Sequence, residues 1–226
     1  MYSELAVKEY EAGLRDSLKQ KHDSAIAHYG KAVKAAPGFF DVFLQLGFAH
    51  RELNNGSEAE KACRRAVEIR PNSGEALTAL GGALLDRAGS APAPNPVDEE
   101  SVGILQRAVA RTPWSSLALY FLGSALFKQN RFDEAETALR ESLIQDKPNH
   151  EARLMLVNIF MKQRRYQEAL DQLSEYLTAV PDSPQRPSVE RMRTQIQDAL
   201  KPPGAVNQPE PESSSPARTA DCTHPN

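Results

Sequence analysis

The chain of 226 residues has two cysteines, Cys63 and Cys222, too few for a disulfide framework. It has no uninterrupted apolar run of the roughly eighteen residues that a membrane-spanning helix needs. Lysine and arginine number 27 against 30 aspartates and glutamates, a net charge of -3. No global basic field therefore draws the chain to nucleic acid or to an acidic membrane surface. The N-terminal MYSELAVKEYEAG lacks the basic stretch and apolar core of a signal peptide. On that reading the chain is expected in the cytoplasm; an exported location requires an upstream domain or leader.

Catalytic signatures are missing as well. There is no phosphate-binding G-x-x-x-x-G-K-[ST], no G-x-G-x-x-G, no H-E-x-x-H and no G-x-S-x-G. The histidines His22, His28, His50, His150 and His224 are scattered over turns, helices and tail. Cys222 and His224 stand close together, but zinc needs three or four ligands, so the thiol is read as free. The chain is therefore expected to be no enzyme, with no metal and no cofactor.

Against these absences stands an excess of proline, 16 in all. Six fall between Pro202 and Pro225, in a Pro- and Ser-rich stretch read as a disordered tail over 202–226. Pro92, Pro94 and Pro96 alternate in a segment expected to be extended. Pro37, Pro71, Pro113, Pro148 and Pro181 each close a helical pattern, at steps of 34, 42, 35 and 33 residues. A near-constant step of this size marks a repeat array.

Other residues keep the register. Five frames of 34 residues begin at Ala6, Phe40, Gly74, Ser116 and His150, the third lengthened by eight. Position 8 carries Gly13, Gly47, Gly81, Gly123 and then Val157. Position 20 carries Ala25, Ala59, Ala135 and Ala169, and position 24 carries Tyr29, Cys63, Leu105, Leu139 and Leu173. Each frame holds two amphipathic helical patterns, A and B. In the second frame Phe43, Leu46, Gly47 and His50 share one face of A, and Ala59, Cys63, Ala66 and Val67 one face of B. The small residues let two helix backbones approach, and proline ends helix B by removing a donor. After Pro181, Val189, Met192, Ile196 and Leu200 recur at helical spacing. A capping helix is read there, over 187–201 within a terminal segment 184–201.

The Leu-Gly pair, central Ala and closing Pro, best seen in FLQLGFAHRELNNGSEAEKACRRAVEIRP, resemble the tetratricopeptide repeat family, as an array of bacterial type. The resemblance covers 6–183 as repeats 6–39, 40–73, 74–115, 116–149 and 150–183. It implies an all-α fold, a right-handed superhelix of antiparallel helix pairs. Two departures stand out: Glu9 occupies a usually bulky apolar position, and Val157 a usual glycine, which should hold the last helix pair farther apart. His50 replaces a usual tyrosine and is read as a hydrogen-bonded structural histidine. The cluster Lys162, Arg164 and Arg165 is read as a solvated turn, and the eight-residue insertion as a tolerated surface loop.

The resemblance further implies that the A helices line a concave groove through positions 2, 5, 9, 12 and 13. Carried over, position 5 gives Tyr10, Leu44, Thr78, Tyr120 and Leu154. Position 9 contributes Leu14, Phe48, Ser124 and Asn158, and position 12 Arg51, Phe127 and Met161. These residues are expected to bind a protein partner's peptide or helix, with Tyr120, Phe48, Phe127 and Met161 as anchors and Arg51 and Asn158 orienting polar groups. The family's chaperone-binding carboxylate clamp is disfavoured, because Tyr10 and Leu14 stand where it needs Lys and Asn, and Glu75 and Ala79 where it needs Lys and Arg. The rival reading is a structural or self-associating segment of a larger, exported protein. The partner's identity and the oligomeric state stay open.

Overall fold

The computed structural model describes residues 2–89 and 96–200. Among them are eleven α-helices and no strands: α1 Glu4–Leu18, α2 His22–Ala35, α3 Phe40–Glu52, α4 Gly56–Ile69, α5 Gly74–Ala88, α6 Pro96–Arg111, α7 Ser116–Lys128, α8 Phe132–Leu143, α9 Glu151–Lys162, α10 Tyr166–Ala179 and α11 Arg186–Leu200. The fold is an all-α helical-repeat superhelix. The tail 202–226, with Cys222 and His224, lies outside the described residues, as does Ala91–Asn95 of the insertion. Helix α6 begins at Pro96, the last of the three alternating prolines in the segment expected to be extended. Proline suits the first helical position, where its missing N–H costs nothing and its φ is already helical.

Local chemistry sets the helix ends. Ser3, Ser73 and Ser115 cap α1, α5 and α7 by accepting hydrogen bonds from the amides of Ala6, Ala76 and Ala118 at 3.2–3.3 Å. Helices α2, α4, α6 and α10 stop two residues before Pro37, Pro71, Pro113 and Pro181. Ala36, Arg70 and Val180 precede three of these prolines with ψ of 86°, 82° and 69°, outside the helical range. Gln20, Asn54, Asn130 and Arg164 take the left-handed conformation that ends α1, α3, α7 and α9, with φ between 57° and 60°. The following amides of Lys21, Asn55, Arg131 and Arg165 each donate to the carbonyl five residues earlier, at 2.8–3.0 Å.

Every helix packs on its chain neighbours, and the odd-numbered helices α1, α3, α5, α7 and α9 also touch one another in sequence. The even-numbered helices meet only through long side chains, as where Arg64 of α4 donates to Glu100 of α6 at 2.6 Å, and their backbones do not approach one another among the described residues. The odd row is thus the inner wall of a curved stack. Within a pair, the closest contact sets a glycine against one side chain. A Cβ added at Gly13 would lie 2.4 Å from the Tyr29 ring, at Gly81 2.4 Å from Leu105 and at Gly123 2.5 Å from Leu139. At Gly47 the opposing atom is the Cys63 sulfur, and burial pushes that thiol up to about 12. Val157 takes the glycine's place in the fifth pair and is buried. Helices α9 and α10 lie less closely together than those of the other four pairs.

Between pairs, a second motif repeats. Glu60 on α4 accepts from Arg64 at 2.7 Å, and Arg87 at the end of α5 lies 2.7 Å from its other oxygen. Glu136 on α8 repeats this pattern with Arg140 at 2.8 Å and with Arg165, from the turn before α10, at 2.6 Å. The Arg165 guanidinium also sits 4.4 Å from the Phe160 ring centre and binds Glu168 at 2.5 Å. Of the cluster read as a solvated turn, Arg165 is therefore a structural clamp and Arg164 a helix terminator. Glu9, the departure in the first pair, accepts from His28 Nδ1 of α2 at 2.6 Å, so a hydrogen bond replaces the usual apolar contact.

His50 differs from expectation. Its Nδ1 is buried and makes no hydrogen bond among the described residues, and that burial lowers its pKa despite Glu58 nearby. Helix α11 packs on α10 through Val189 and Ile196. Met192 and Leu200 of the same expected stripe stay 41% and 46% exposed.

Two outcomes follow for stability. Gly123→Ala should cost about 2 kcal/mol in urea denaturation, because Leu139 and the Ala135 carbonyl leave the new methyl no room. Burial pushes the Glu136 carboxyl up, but the hydrogen bonds from Arg165 and Arg140 outweigh it and hold the pKa below 4.5. Its contribution is then complete above that pH and lost as pH falls through the lower folded value. Glu136→Gln should cost about 1 kcal/mol at neutral pH and lose less stability than the native chain as pH falls below the ordinary carboxylate range.

Candidate functional site

The inner wall does not present the twelve groove residues as one surface. Leu44 is 2% exposed and belongs to the core between α3 and α5, so it is no accessible anchor. Thr78 is buried too, its hydroxyl donating to the Gly74 carbonyl at 2.7 Å. Tyr10 is half-buried, its ring 5.0 Å from Phe39 and 6.2 Å from Tyr29. Burial raises its pKa, and the nearby Asp41 and Glu75 carboxylates add to the effect. Leu14 and Leu154 are half-buried, and Leu154 packs on the C-terminal core. Inner helices that touch one another consume these positions as packing surface.

Four of the twelve do converge. Arg51, Tyr120, Ser124 and Phe127 line one open hollow of about 440 Å³ between α3, α5, α7 and α9. Leu85, Asp86, Phe121, Lys128 and Met155 complete it. Tyr120 and Phe121 hold their ring centres 5.5 Å apart at its floor. The Ser124 hydroxyl donates to the Tyr120 carbonyl at 2.9 Å. Burial raises the Tyr120 pKa, so the phenol is neutral at physiological pH.

Arg51 is already engaged. Its Nε donates to Asp86 at 2.5 Å, its guanidinium lies 4.8 Å from the Phe121 ring centre, and its side chain is 18% exposed. Gly82 makes this possible, since a Cβ there would lie 2.8 Å from the Arg51 Nη1 and 2.9 Å from Phe121. The arginine expected to orient a partner's polar groups instead welds α3 to α5 and α7 and neutralises Asp86. Asn158 and Met161 are exposed on α9. Met161 belongs to a separate hollow of about 380 Å³ with Tyr166, Met192, Ile196 and Leu200. Phe48 opens on a third, beside Trp114 and Leu117.

Sequence reasoning missed Asp86 and Lys128 at position 13 and Leu117 at position 2, although the family pattern marks both positions as inward-facing. Nothing marked Trp114, which sits in the turn between α6 and α7 and is 71% exposed. Among the described residues no group of three or more potential ligands could hold a metal ion, and no helix is long and apolar enough to cross a membrane.

An open wall of paired helices with apolar hollows and no reactive cluster among the described residues defines an α-solenoid scaffold. The chain belongs to the tetratricopeptide repeat family, which it matches over residues 18–86, 99–150 and 122–184. No curated protein sequence matches it significantly. Among solved structures it is similar to TTC0263, a thermophilic TPR protein of Thermus thermophilus, at 17% identity and a TM-score of 0.70, over 85% of this chain and 98% of that one. It is similar to PilW, a type IV pilus biogenesis factor, at 19% identity and 0.71, over 88% and 93%. YrrB, a TPR protein with an unusual peptide-binding site, aligns at 18% identity and 0.58, over 82% and 92%. At these identities the likeness establishes the fold. The family's arrays are scaffolds for protein–protein interaction and are generally non-catalytic.

The Arg51 arrangement has a measurable consequence. A double-mutant cycle between Arg51→Met and Asp86→Asn should give a coupling of up to about 1 kcal/mol. In a Gly82→Ala background the same cycle should fall to near zero, because the added methyl displaces the guanidinium.

Proposed function

We propose that this chain is a non-enzymatic binding module that holds a segment of another protein along its inner wall. The observation that carries the reading is the hollow of about 440 Å³ walled by Tyr120, Phe127 and Met155. Its lining comes from four different inner helices, so it exists only in the assembled stack. Two of its charged groups, Arg51 and Asp86, neutralise each other. Lys128 also lines it, but most of what the hollow offers is apolar and aromatic surface, the surface that tends to dominate binding energy at interfaces. A partner helix or extended peptide that inserts one large apolar side chain there fits this chemistry.

The test is a Tyr120→Ala/Phe127→Ala double variant. It should keep the native far-UV circular dichroism spectrum and a cooperative melt, and lose at least about tenfold in affinity for any partner retained from host extract by the native chain. Unchanged retention by the folded variant rules the hollow out as the binding site.

A second reading, self-association, is favoured by apolar residues exposed on both outermost described helices: Leu5 and Leu18 on α1, Met192 and Leu200 on α11. It predicts a mass by light scattering that rises with concentration and falls to the monomer on Met192→Lys/Leu200→Lys substitution.

A further inference from the structure

The hollow beside Phe48 differs in chemistry from the one that holds Tyr120. It encloses about 370 Å³ between the start of α5 and the turn that joins α6 to α7. Phe48, Trp114 and Leu117 give it apolar walls, and among the described residues Glu75 is the one charged group in its lining. Trp114 is the chain's only tryptophan, and its 71% exposure is unusual for so large an apolar ring. The lining's hydroxyls are in use: Thr78 donates to the Gly74 carbonyl, Thr112 donates to the Ala108 carbonyl at 3.0 Å, and Ser115 caps α7. Among the described residues the Glu75 carboxylate has no ion pair and no hydrogen bond.

None of the neighbouring cations is paired with it. Arg51, three residues beyond Phe48, is held by Asp86. Arg111, just before the turn, donates to Asn72 at 2.9 Å. Arg70 lies over the Phe40 ring at 4.0 Å. Asp41, one repeat before Glu75 in the same register, also has no ion pair among the described residues, and both carboxylates act on Tyr10. This part of the inner wall therefore presents two carboxylates without ion-pair partners among the described residues, one of them beside the Phe48 and Trp114 rings.

We infer that the Phe48–Trp114–Glu75 hollow binds an arginine side chain of the partner's peptide. The inference rests on the binding-module reading and adds a second, charge-selective contact to the apolar one at Tyr120. An indole face attracts a cation through its quadrupole, and the planar, weakly hydrated guanidinium stacks on it better than an ammonium does. Glu75 supplies the opposite charge and a bidentate acceptor. A glutamate in the first turn of α5 also suits the helix dipole, and that role alone requires no ligand.

The probe is N-acetyl-arginine amide, with the neutral N-acetyl-citrulline amide as control and Trp114 fluorescence as readout. The arginine compound should change the emission saturably and the citrulline compound should not. Glu75→Gln should weaken arginine binding by about tenfold, and so should Phe48→Ala, both with unchanged circular dichroism. Raising the salt concentration should weaken binding further. Equal responses to arginine and citrulline, or full binding by Glu75→Gln, would overturn the inference. A partner lost by the Tyr120/Phe127 variant but kept by Glu75→Gln would overturn this inference alone. A partner kept by both variants removes the binding-module reading as well.

Discussion

The close approach of two helices across a glycine is the contact on which this structure depends. Gly13, Gly47, Gly81 and Gly123 each face the side chain sixteen positions later in the frame, once the insertion is discounted, at distances that no Cβ tolerates. That contact fixes the distance between α1 and α2, α3 and α4, α5 and α6, and α7 and α8. Once a pair is that tight, its remaining apolar side chains point forward and back to the neighbouring pairs. A pair cannot bury those faces alone, so stability comes from the stack. The partner of the glycine is free to vary as tyrosine, cysteine or leucine because only the glycine side of the contact lacks space.

The stack also needs something to align one pair with the next, since apolar contact has no direction. Glu60 and Glu136 occupy the same register position two frames apart. Each is held by an arginine one helical turn ahead and by an arginine from the next pair. A carboxylate so placed is costly to bury unless both arginines are in position, which ties the orientation of one pair to that of the next. In the first pair the same chemistry works inside the pair, where Glu9 and His28 occupy a contact that is apolar elsewhere.

The fold was readable from sequence because its determinants are local and repeated. Prolines end helices wherever they stand two residues past the last turn, and position-8 glycines announce close packing without knowledge of the partner. The inner wall was less readable. Leu44 and Tyr120 share position 5, yet Leu44 is core and Tyr120 borders a hollow. What differs is the neighbour on the adjacent inner helix, which the pattern of one repeat does not specify. His50 shows the same limit, since a core-facing position said nothing about whether a hydrogen-bond partner stood opposite. Trp114 escaped notice because turns between pairs carry no register requirement beyond the proline.

Arg51 shows how far this non-local control reaches. Taken alone it is a cation on the inner face and suggests a site for acidic groups. Gly82, thirty-one residues on, leaves a gap over α5 that the arginine crosses to reach Asp86 and Phe121. The apparent cation thereby becomes a neutral, rigid wall, and the hollow behind it turns apolar. The nearby wall carries Glu75 and Asp41, carboxylates with no ion pair among the described residues. A groove that sequence presents as apolar with scattered polar groups thus acquires two distinct chemistries in the folded stack. Aromatic surface around Tyr120 and Phe127 offers adhesion that comes mainly from apolar area. The hollow at Trp114 sets an unpaired carboxylate beside an indole, a pairing that suits a guanidinium better than an anion, so charge selectivity is expected there.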